Sequence, residues 1–227
     1  MKTRVPIDCQ IPDPIERRTL FTLNEVYDHY LYHDSDDYPR TFVEVGGYDG
    51  ETHSNTCLLA DDGWHGIYIE PVPDFAEKCK ARHINNDIEV WNVAVSDFEG
   101  YVNINVDEEW TAISEQGIQV PCIKLNKVFD NLGYIDLLVI DVEGHELQVL
   151  QGSNLIDYAP SMCIIEMHEE PSLSWLGVTE TNKLITNYME SAGYVKIWFD
   201  YVNTIFMHQT LVDQSGNFFE IKGINKC

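Results

Sequence analysis

Acid and imidazole groups concentrate in two short stretches, "IDVEGHE" (residues 140–146) and "IIEMHEE" (residues 164–170), each directly after or within an apolar run. An imidazole titrates near neutral pH and can take a proton from a hydroxyl as that oxygen attacks an electrophile. Carboxylates can hold Mg²⁺ or another divalent cation through the oxygen ligands it prefers, and the ion would lower the acceptor's pKa. A strong electrophile would need neither, only alignment. The catalytic candidates are Asp141, Glu143, His145 and His168, and the candidate metal set is Asp141, Glu166 and His168. His168 is the stronger base candidate, because Glu166, Glu169 and Glu170 are available to raise its basicity. His145 follows Gly144 at a helix start, where capping, a carbonyl partner or solvent would account for it equally well. Glu146 is explained by a favourable interaction with the helix N-terminus. No short Cys/His spacing supports structural zinc.

A second constellation lies upstream. "FVEVGGYDG" (42–50) joins a strand to Glu44 and to glycines at 46, 47 and 50, and "GIYIEP" ends the next strand in Glu70. Glycine lets a backbone approach a ligand closely where a first strand turns into its helix, and a carboxylate at the second strand end can accept both hydroxyls of a ribose. The spacing fails the dinucleotide fingerprint, because Tyr48 and Asp49 follow Gly47, so a pyrophosphate cradle is disfavoured. Glu44 would repel a phosphate and welcome a cationic group. The ligand suggested is a nucleoside without phosphates that carries positive charge. Ser54 reads as an N-cap, with Asn55 and Thr56 opening a helix whose amides could face a carboxylate. The competing explanation is a tight turn followed by a solvated loop.

The elements that must position these groups alternate. Strand candidates are 41–45, 66–70, 88–93, 135–140, 162–167, 194–199 and 202–207; helix candidates are 54–61, 73–83, 123–131, 145–151 and 179–191. Several strands are apolar throughout, which indicates a mostly parallel α/β sheet covered on both faces. The last two strands, separated by "DY", predict a hairpin and an antiparallel edge. In such a sheet Asp141 and "IIEMHEE" are neighbours on the carboxyl edge, so Glu143, His145, Glu166 and His168 gather in one region. Residues 98–121 break the rhythm and read as an inserted loop or short strand near the substrate site. Residues 1–38 read as an N-terminal arm followed by a helix packed on the core, opened by a capping box at Thr22 and Glu25. Residues 39–227 then form a single domain. Trp64, Trp91 and Trp198 read as core, whereas Trp110 and Trp175 lie in loops where they could flank a sugar face.

Composition excludes more than it proves. Thirty-eight acidic against fourteen basic residues give a formal charge of -24, which opposes nonspecific binding to nucleic acid or an anionic membrane. The first residues show no secretory pattern and no run approaches a membrane span. Six cysteines without close pairing read as free thiols in a reducing compartment, hence a cytoplasmic location.

The motifs together resemble the FkbM family of S-adenosylmethionine-dependent methyltransferases, through "FVEVGGYDGETHSNT", "GWHGIYIEPVPDFAEKCKAR", "NVAVSD" and, most specifically, "IDLLVIDVEGHELQVLQG". The resemblance implies a Rossmann-like class I methyltransferase fold, with a seven-stranded sheet of order 3-2-1-4-5-7-6 and helices on both faces. It implies S-adenosylmethionine as methyl donor. The donor would lie against Glu44, Gly46, Gly47, Tyr48, Gly50 and Ser54, with Glu70 on the ribose, Asn92 and Val93 by the adenine, and Asp141 at the floor near the donor amine. Tyr48 stands where most such enzymes have a middle glycine. Family members commonly methylate an oxygen on sugars and other hydroxyl-bearing metabolites, so the expected partner is a small molecule or glycan, with self-association left open. Two alternatives stand beside this: a nitrogen, carboxylate or peptide acceptor, and a noncatalytic donor-binding protein.

Overall fold

The computed structural model describes residues 40–107, 110–114, 116–168, 178–199 and 202–215. The expected arm and helix of residues 1–38, and Glu169, Glu170 and Trp175, lie outside the described residues. The chain opens its main sheet with β1 (Thr41–Val45), β2 (His65–Ile69) and β3 (Ile88–Trp91). It then leaves for a second sheet made of β4 (Ala94–Val95), β5 (Gly100–Asp107), β6 (Trp110–Ser114) and β7 (Ile118–Ile123). It returns with β8 (Leu137–Ile140), β9 (Met162–Glu166), β10 (Tyr194–Phe199) and β11 (Asn203–His208). The helices are α1 (Cys57–Asp61), α2 (Pro73–Arg82), α3 (Asn126–Phe129), α4 (Glu146–Gln151), α5 (Leu155–Tyr158), α6 (Val178–Ser191) and α7 (Gln209–Ser215).

The main sheet runs β10-β11-β9-β8-β1-β2-β3. Counted along the sheet's own strands this is the expected 3-2-1-4-5-7-6 order, with β11 antiparallel to both neighbours and the other described pairings parallel. The physical basis is legible in β8, whose residues "LLVI" are all buried. Leu138 and Ile140 join one core with Val43, Val45, Ile67, Ile69 and Ile165. Leu137 and Val139 join the core on the opposite face with Phe42, Tyr68 and Ile164. A strand buried on both faces has no polar face to offer water, which is why its sequence is continuous rather than alternating. Each such side chain contributes roughly 1.5–3 kcal/mol of burial.

The region expected as an inserted loop or short strand is more regular than that. Residues 100–107, 110–114 and 118–123 are strands of a four-stranded sheet ordered β4-β7-β5-β6. Its own small core holds Ala94, Val102, Ile104, Val120 and Cys122. The signal was the alternation in "YVNINV": Val102 and Ile104 are buried while Tyr101 and Asn105 are exposed.

Trp64 and Trp198 are buried, as expected. Cys57, Cys79, Cys122 and Cys163 are free and buried. Among the described residues no helix is long and apolar enough to cross a membrane.

Candidate active site

Register decides which side chains meet. Val45 pairs with Ile69 on one side and Ile140 on the other, and Ile140 pairs with Ile165. The residues that follow these four, Gly46, Glu70, Asp141 and Glu166, therefore stand in one row along the carboxyl edge. In open parallel sheets ligands bind at that edge. Four of the described non-glycine residues with left-handed backbone, Tyr48 (φ 42°), His53 (φ 60°), Glu143 (φ 55°) and His168 (φ 40°), lie in the loops leaving β1, β8 and β9. Strain of this kind persists where surrounding contacts over-determine it, and it clusters at functional sites.

On the β1/β2 side both carboxylates accept hydrogen bonds on each oxygen from the loops they organise. Glu44 is buried; its Oε1 accepts from the Asn55 amide (3.0 Å) and its Oε2 from Ser54 Oγ (2.8 Å) and from Thr56 Oγ1. Burial raises its pKa, and these donors work against the rise. Ser54 Oγ in turn accepts from the Thr56 and Cys57 amides (3.2 and 3.0 Å), so the expected cap acts from two positions before Thr56, the residue at the helix boundary. Glu70 Oε2 accepts from the Tyr48 amide (2.9 Å) and Oε1 from the Val72 amide (2.8 Å), and burial pushes its pKa up to about 7. Tyr48 thus holds the left-handed position of a missing glycine, secured by Glu70 and by its ring against Phe75 at 4.3 Å between centroids. Asn92 donates to the carbonyls of Glu70 and Pro71 (2.8 and 2.9 Å), and Val93 packs against the core.

The glycines have a packing reason. A Cβ on Gly46, at φ 96°, would come 1.6 Å from the Asp141 carbonyl oxygen, and one on Gly47 would come 2.9 Å from the Tyr68 ring. At Gly50 it would meet Cys79 Sγ at 2.7 Å and the His83 ring at 2.9 Å. These residues let β1, β8 and α2 close on one another, a role distinct from the ligand approach expected of them.

On the β8/β9 side the charges face one another. His168 Nε2 lies 2.8 Å from Glu166 Oε1, a contact that, with the neighbouring carboxylates, raises the imidazole pKa against the effect of burial. Glu166 Oε2 is buried and receives no hydrogen bond from an amide, hydroxyl or cationic side chain. The same carboxylate hydrogen-bonds Asp141, whose pKa is pushed well up by burial first and then by Glu166, Glu143 and Glu146, so that a protonated Asp141 is the donor between the two acids. Burial and the Glu166 charge push Glu143 up to about 7, while His168 and His53 pull it down. The expected gathering of Asp141, Glu143, Glu166 and His168 is present.

His145 departs from that expectation. Its Nε2 is bonded to Ser96 Oγ at 2.9 Å, and burial lowers its pKa, so it ties the start of α4 to the residue after β4. The expected metal set does not fit either. Among the described residues no group of three or more His, Cys, Asp or Glu side chains is arranged to hold a metal ion, and Asp141, Glu166 and His168 engage one another.

Three contributors are not among the site residues read from the sequence, where the helix N-terminus alone explains Glu146 and where Tyr68 and His83 have no role. Glu146 is buried and its Oε1 accepts from the Val142 and Gly144 amides (3.2 and 2.8 Å), folding the "DVEG" turn. Tyr68 Oη lies 2.9 Å from Thr56 Oγ1 beneath Glu44 and donates to it, since the one hydroxyl proton of Thr56 goes to Glu44. His83 stacks on the Tyr68 ring at 4.9 Å and donates from Nε2 to the Gly50 carbonyl (2.8 Å). Only Glu146 had a sequence signal, an acid in the first helical turn beside a glycine. The other two are brought in by packing of β2 and α2.

The sheet order, its antiparallel hairpin and the row of groups at the carboxyl edge define a Rossmann-like class I methyltransferase fold. The chain belongs to the FkbM methyltransferase family: the model of the methyltransferase FkbM domain matches residues 44–196. It is accordingly an S-adenosylmethionine-dependent methyltransferase. No curated protein matches the chain. Among solved structures it is similar to the SAH-bound Podospora anserina methyltransferase PaMTH1, at 11% identity and a TM-score of 0.50 over 91% of this chain and 83% of that one. It is also similar to the METTL16 MTase domain, at 13% identity and a TM-score of 0.48 over 86% of this chain and 68% of that one. At these identities the likeness is one of fold alone. The residues fit a donor that carries an ammonium and a ribose: partly exposed Asp141 has a pKa raised by desolvation and neighbouring acids, which a positive charge beside it would relieve, and buried Glu70 has acceptor capacity beyond its two amide contacts.

Proposed function

We propose that this protein transfers a methyl group to a hydroxyl of a sugar, glycan or similar polyol, with His168 taking the proton. The contact between His168 Nε2 and Glu166 Oε1 supports this reading, because it orients an imidazole of raised basicity at the end of β9, the strand next to the one that leads into Asp141. With Nε2–H donated to Glu166, Nδ1 is the ring atom that accepts the proton. The donor supplies an electrophilic methyl, so the chain's own task is alignment and removal of one proton. Glu70 would receive the ribose hydroxyls on the lone pairs its two amide contacts leave, and the surface by Asn92 and Val93 would face the adenine. Asp141 would take the donor ammonium. The geometry of Glu44 supports an indirect role, as the buried acceptor that shapes the Ser54–Thr56 turn. No step is routed through a metal.

We assign acceptor choice to residues 98–121, the second sheet, on the ground that the chain leading into it is bonded through Ser96 to His145 of the "DVEGHE" turn. The formal charge of -24 supports a small-molecule or glycan acceptor over a polyanion, and four buried free cysteines support a reducing, cytoplasmic setting.

Isothermal titration of the full chain with S-adenosylmethionine tests the donor half. Binding lost in Glu70→Ala supports it, and no measurable binding to folded protein sinks it. A glycan panel followed by donor turnover tests the acceptor half. An amine acceptor would need no imidazole base once deprotonated, so retention of full activity in His168→Ala would transfer support to the nitrogen reading. The noncatalytic reading predicts decay of the glycine loop or of Asp141, and both are kept.

A further inference from the structure

We propose that His83 is a positioning residue for the methyl donor: through one hydrogen bond to Gly50 it holds the 47–50 turn in the shape the donor meets. The inference rests on the reading that the donor lies over the glycine loop.

The turn hangs between two supports. Its first half is tied to β2, where the Gly46 and Gly47 amides both donate to the Ile69 carbonyl (2.9 and 3.1 Å) and the Tyr48 amide donates to Glu70 Oε2 (2.9 Å). It closes on itself through the Gly50 amide, which donates to the Gly47 carbonyl (2.8 Å) at a left-handed Gly50 (φ 77°). The second support is α2, whose C-cap is His83. That side chain is buried, and its Nε2 meets the carbonyl of buried Gly50 at 2.8 Å. A carbonyl withdrawn from water needs such a donor.

The far side of the ring fixes which nitrogen carries the proton. Asn86 Nδ2 donates to Asp61 Oδ1 (2.9 Å) and lies 3.3 Å from His83 Nδ1. A carboxylate accepts, so the Asn86 group facing it is the amide nitrogen, and Nδ1, facing the same nitrogen, is an acceptor. The proton therefore sits on Nε2, where Gly50 uses it, and burial lowers the imidazole pKa, which keeps the ring neutral. Asp61 is itself held by Arg82 Nη1 and Nη2 (3.0 and 2.8 Å), while Arg82 Nε donates to Oε2 of Glu51 (2.7 Å), the residue after Gly50. One connected set of bonds thus runs from the end of α1 through the end of α2 to the glycine loop. An apolar ring could stack on Tyr68 as His83 does, at 4.9 Å between centroids, but it would leave Gly50 unheld. The donor would then have to order the turn as it binds, and affinity would fall by that cost.

The test titrates the full chain with S-adenosylhomocysteine by calorimetry. His83→Phe keeps the stack and removes the hydrogen bond; it should weaken binding about five- to ten-fold. His83→Gln places an amide N–H where Nε2 stood and should restore affinity to within about three-fold of the parent. Asn86→Ala, at a half-buried surface position, frees the tautomer and should weaken binding roughly two-fold, and it decides the matter if the phenylalanine variant does not fold. Two-bond proton–nitrogen spectra of the parent, assigned by the signals missing in His83→Gln, should show the Nε2–H form. A His83→Phe variant that lowers the melting temperature and binds S-adenosylhomocysteine as the parent does overturns the proposal, since the residue is then packing alone. Failure of glutamine to restore affinity, parent-like affinity in Asn86→Ala, or a ring found as Nδ1–H or doubly protonated also overturns it. Loss of binding in Glu70→Ala beside parent-like binding in His83→Phe removes this proposal and keeps the donor reading; a parent that binds no S-adenosylhomocysteine removes both.

Discussion

The two halves of the carboxyl edge are built from the same residue types and behave oppositely. Around β1 and β2, Glu44 and Glu70 accept on both oxygens from amides and hydroxyls of the loops they organise, which encloses Glu44 and leaves Glu70 only the lone pairs its two amide contacts do not use. Around β8 and β9, carboxylates face carboxylates, Asp141 and Glu166 share a hydrogen bond that needs one of them protonated, and Glu143 and His168 sit in left-handed conformations. The difference teaches that an acid at a strand end is not by itself a ligand group. Where backbone donors surround it, it is architecture; where like charges surround it, the fold has left charge for something else to balance.

The comparison breaks most completely at its junction. Gly46→Ala places a Cβ on the Asp141 carbonyl and should cost about 4 kcal/mol or more, seen as loss of soluble protein or of the thermal transition. Gly144→Ala, with nothing within 4 Å of the added carbon, should cost only about 1 kcal/mol for the left-handed backbone. A side chain at Gly46 therefore reports on folding, and donor binding is tested by Glu70→Ala.

On the β9 side, His168→Ala should lower kcat about 10²- to 10⁴-fold while S-adenosylhomocysteine still binds by calorimetry. Equal loss of donor affinity would merge the two halves. In the parent enzyme kcat should rise with pH through an apparent pKa above that of a free imidazole, and Glu166→Gln should move that inflection downward.

On the β1 side, Glu44→Ala leaves Ser54, Asn55 and Thr56 without their buried acceptor and should cost about 3 kcal/mol in thermal or urea unfolding. It tests whether that carboxylate is architecture.

A smaller effect follows from proton linkage. Glu70 and Glu143 have folded-state pKa values raised from 4.5 to about 7, so the folded chain holds more protons than the unfolded one between those values. Stability is then full below pH 4.5 as far as these groups go and is lost as pH rises towards 7. The melting temperature of the ligand-free chain should fall by a few degrees across this window, damped at the partly exposed Glu143, and affinity for the cationic donor should rise over the same range. Smallest of all, His145→Gln should change kcat little, since that ring faces Ser96.

Much of this was legible in the sequence because it depends on local pattern. Apolar runs such as "LLVI" mark strands buried on both faces, the "DY" between the last two marks a hairpin, and the order of "FVEVGGYDG", "GIYIEP" and "IDVEGHE" marks the carboxyl edge. The extra sheet was less visible, because its strands carry asparagines on the open face and glycines at their turns. Its alternation shows only in short pieces.

The sequence by itself determined the alternation, the family and which acids and histidines stand at strand ends, since these follow from periodicity and adjacency along the chain. Only the tertiary structure decided what each of them meets. Glu44 was enclosed by a turn ten residues on, His145 was drawn to Ser96, and Glu166 was set between His168 and Asp141. The physical reason is that a side chain's charge and hydrogen bonds are settled by neighbours across the sheet and the loops above it, and pairing register, which no single strand encodes, chooses those neighbours.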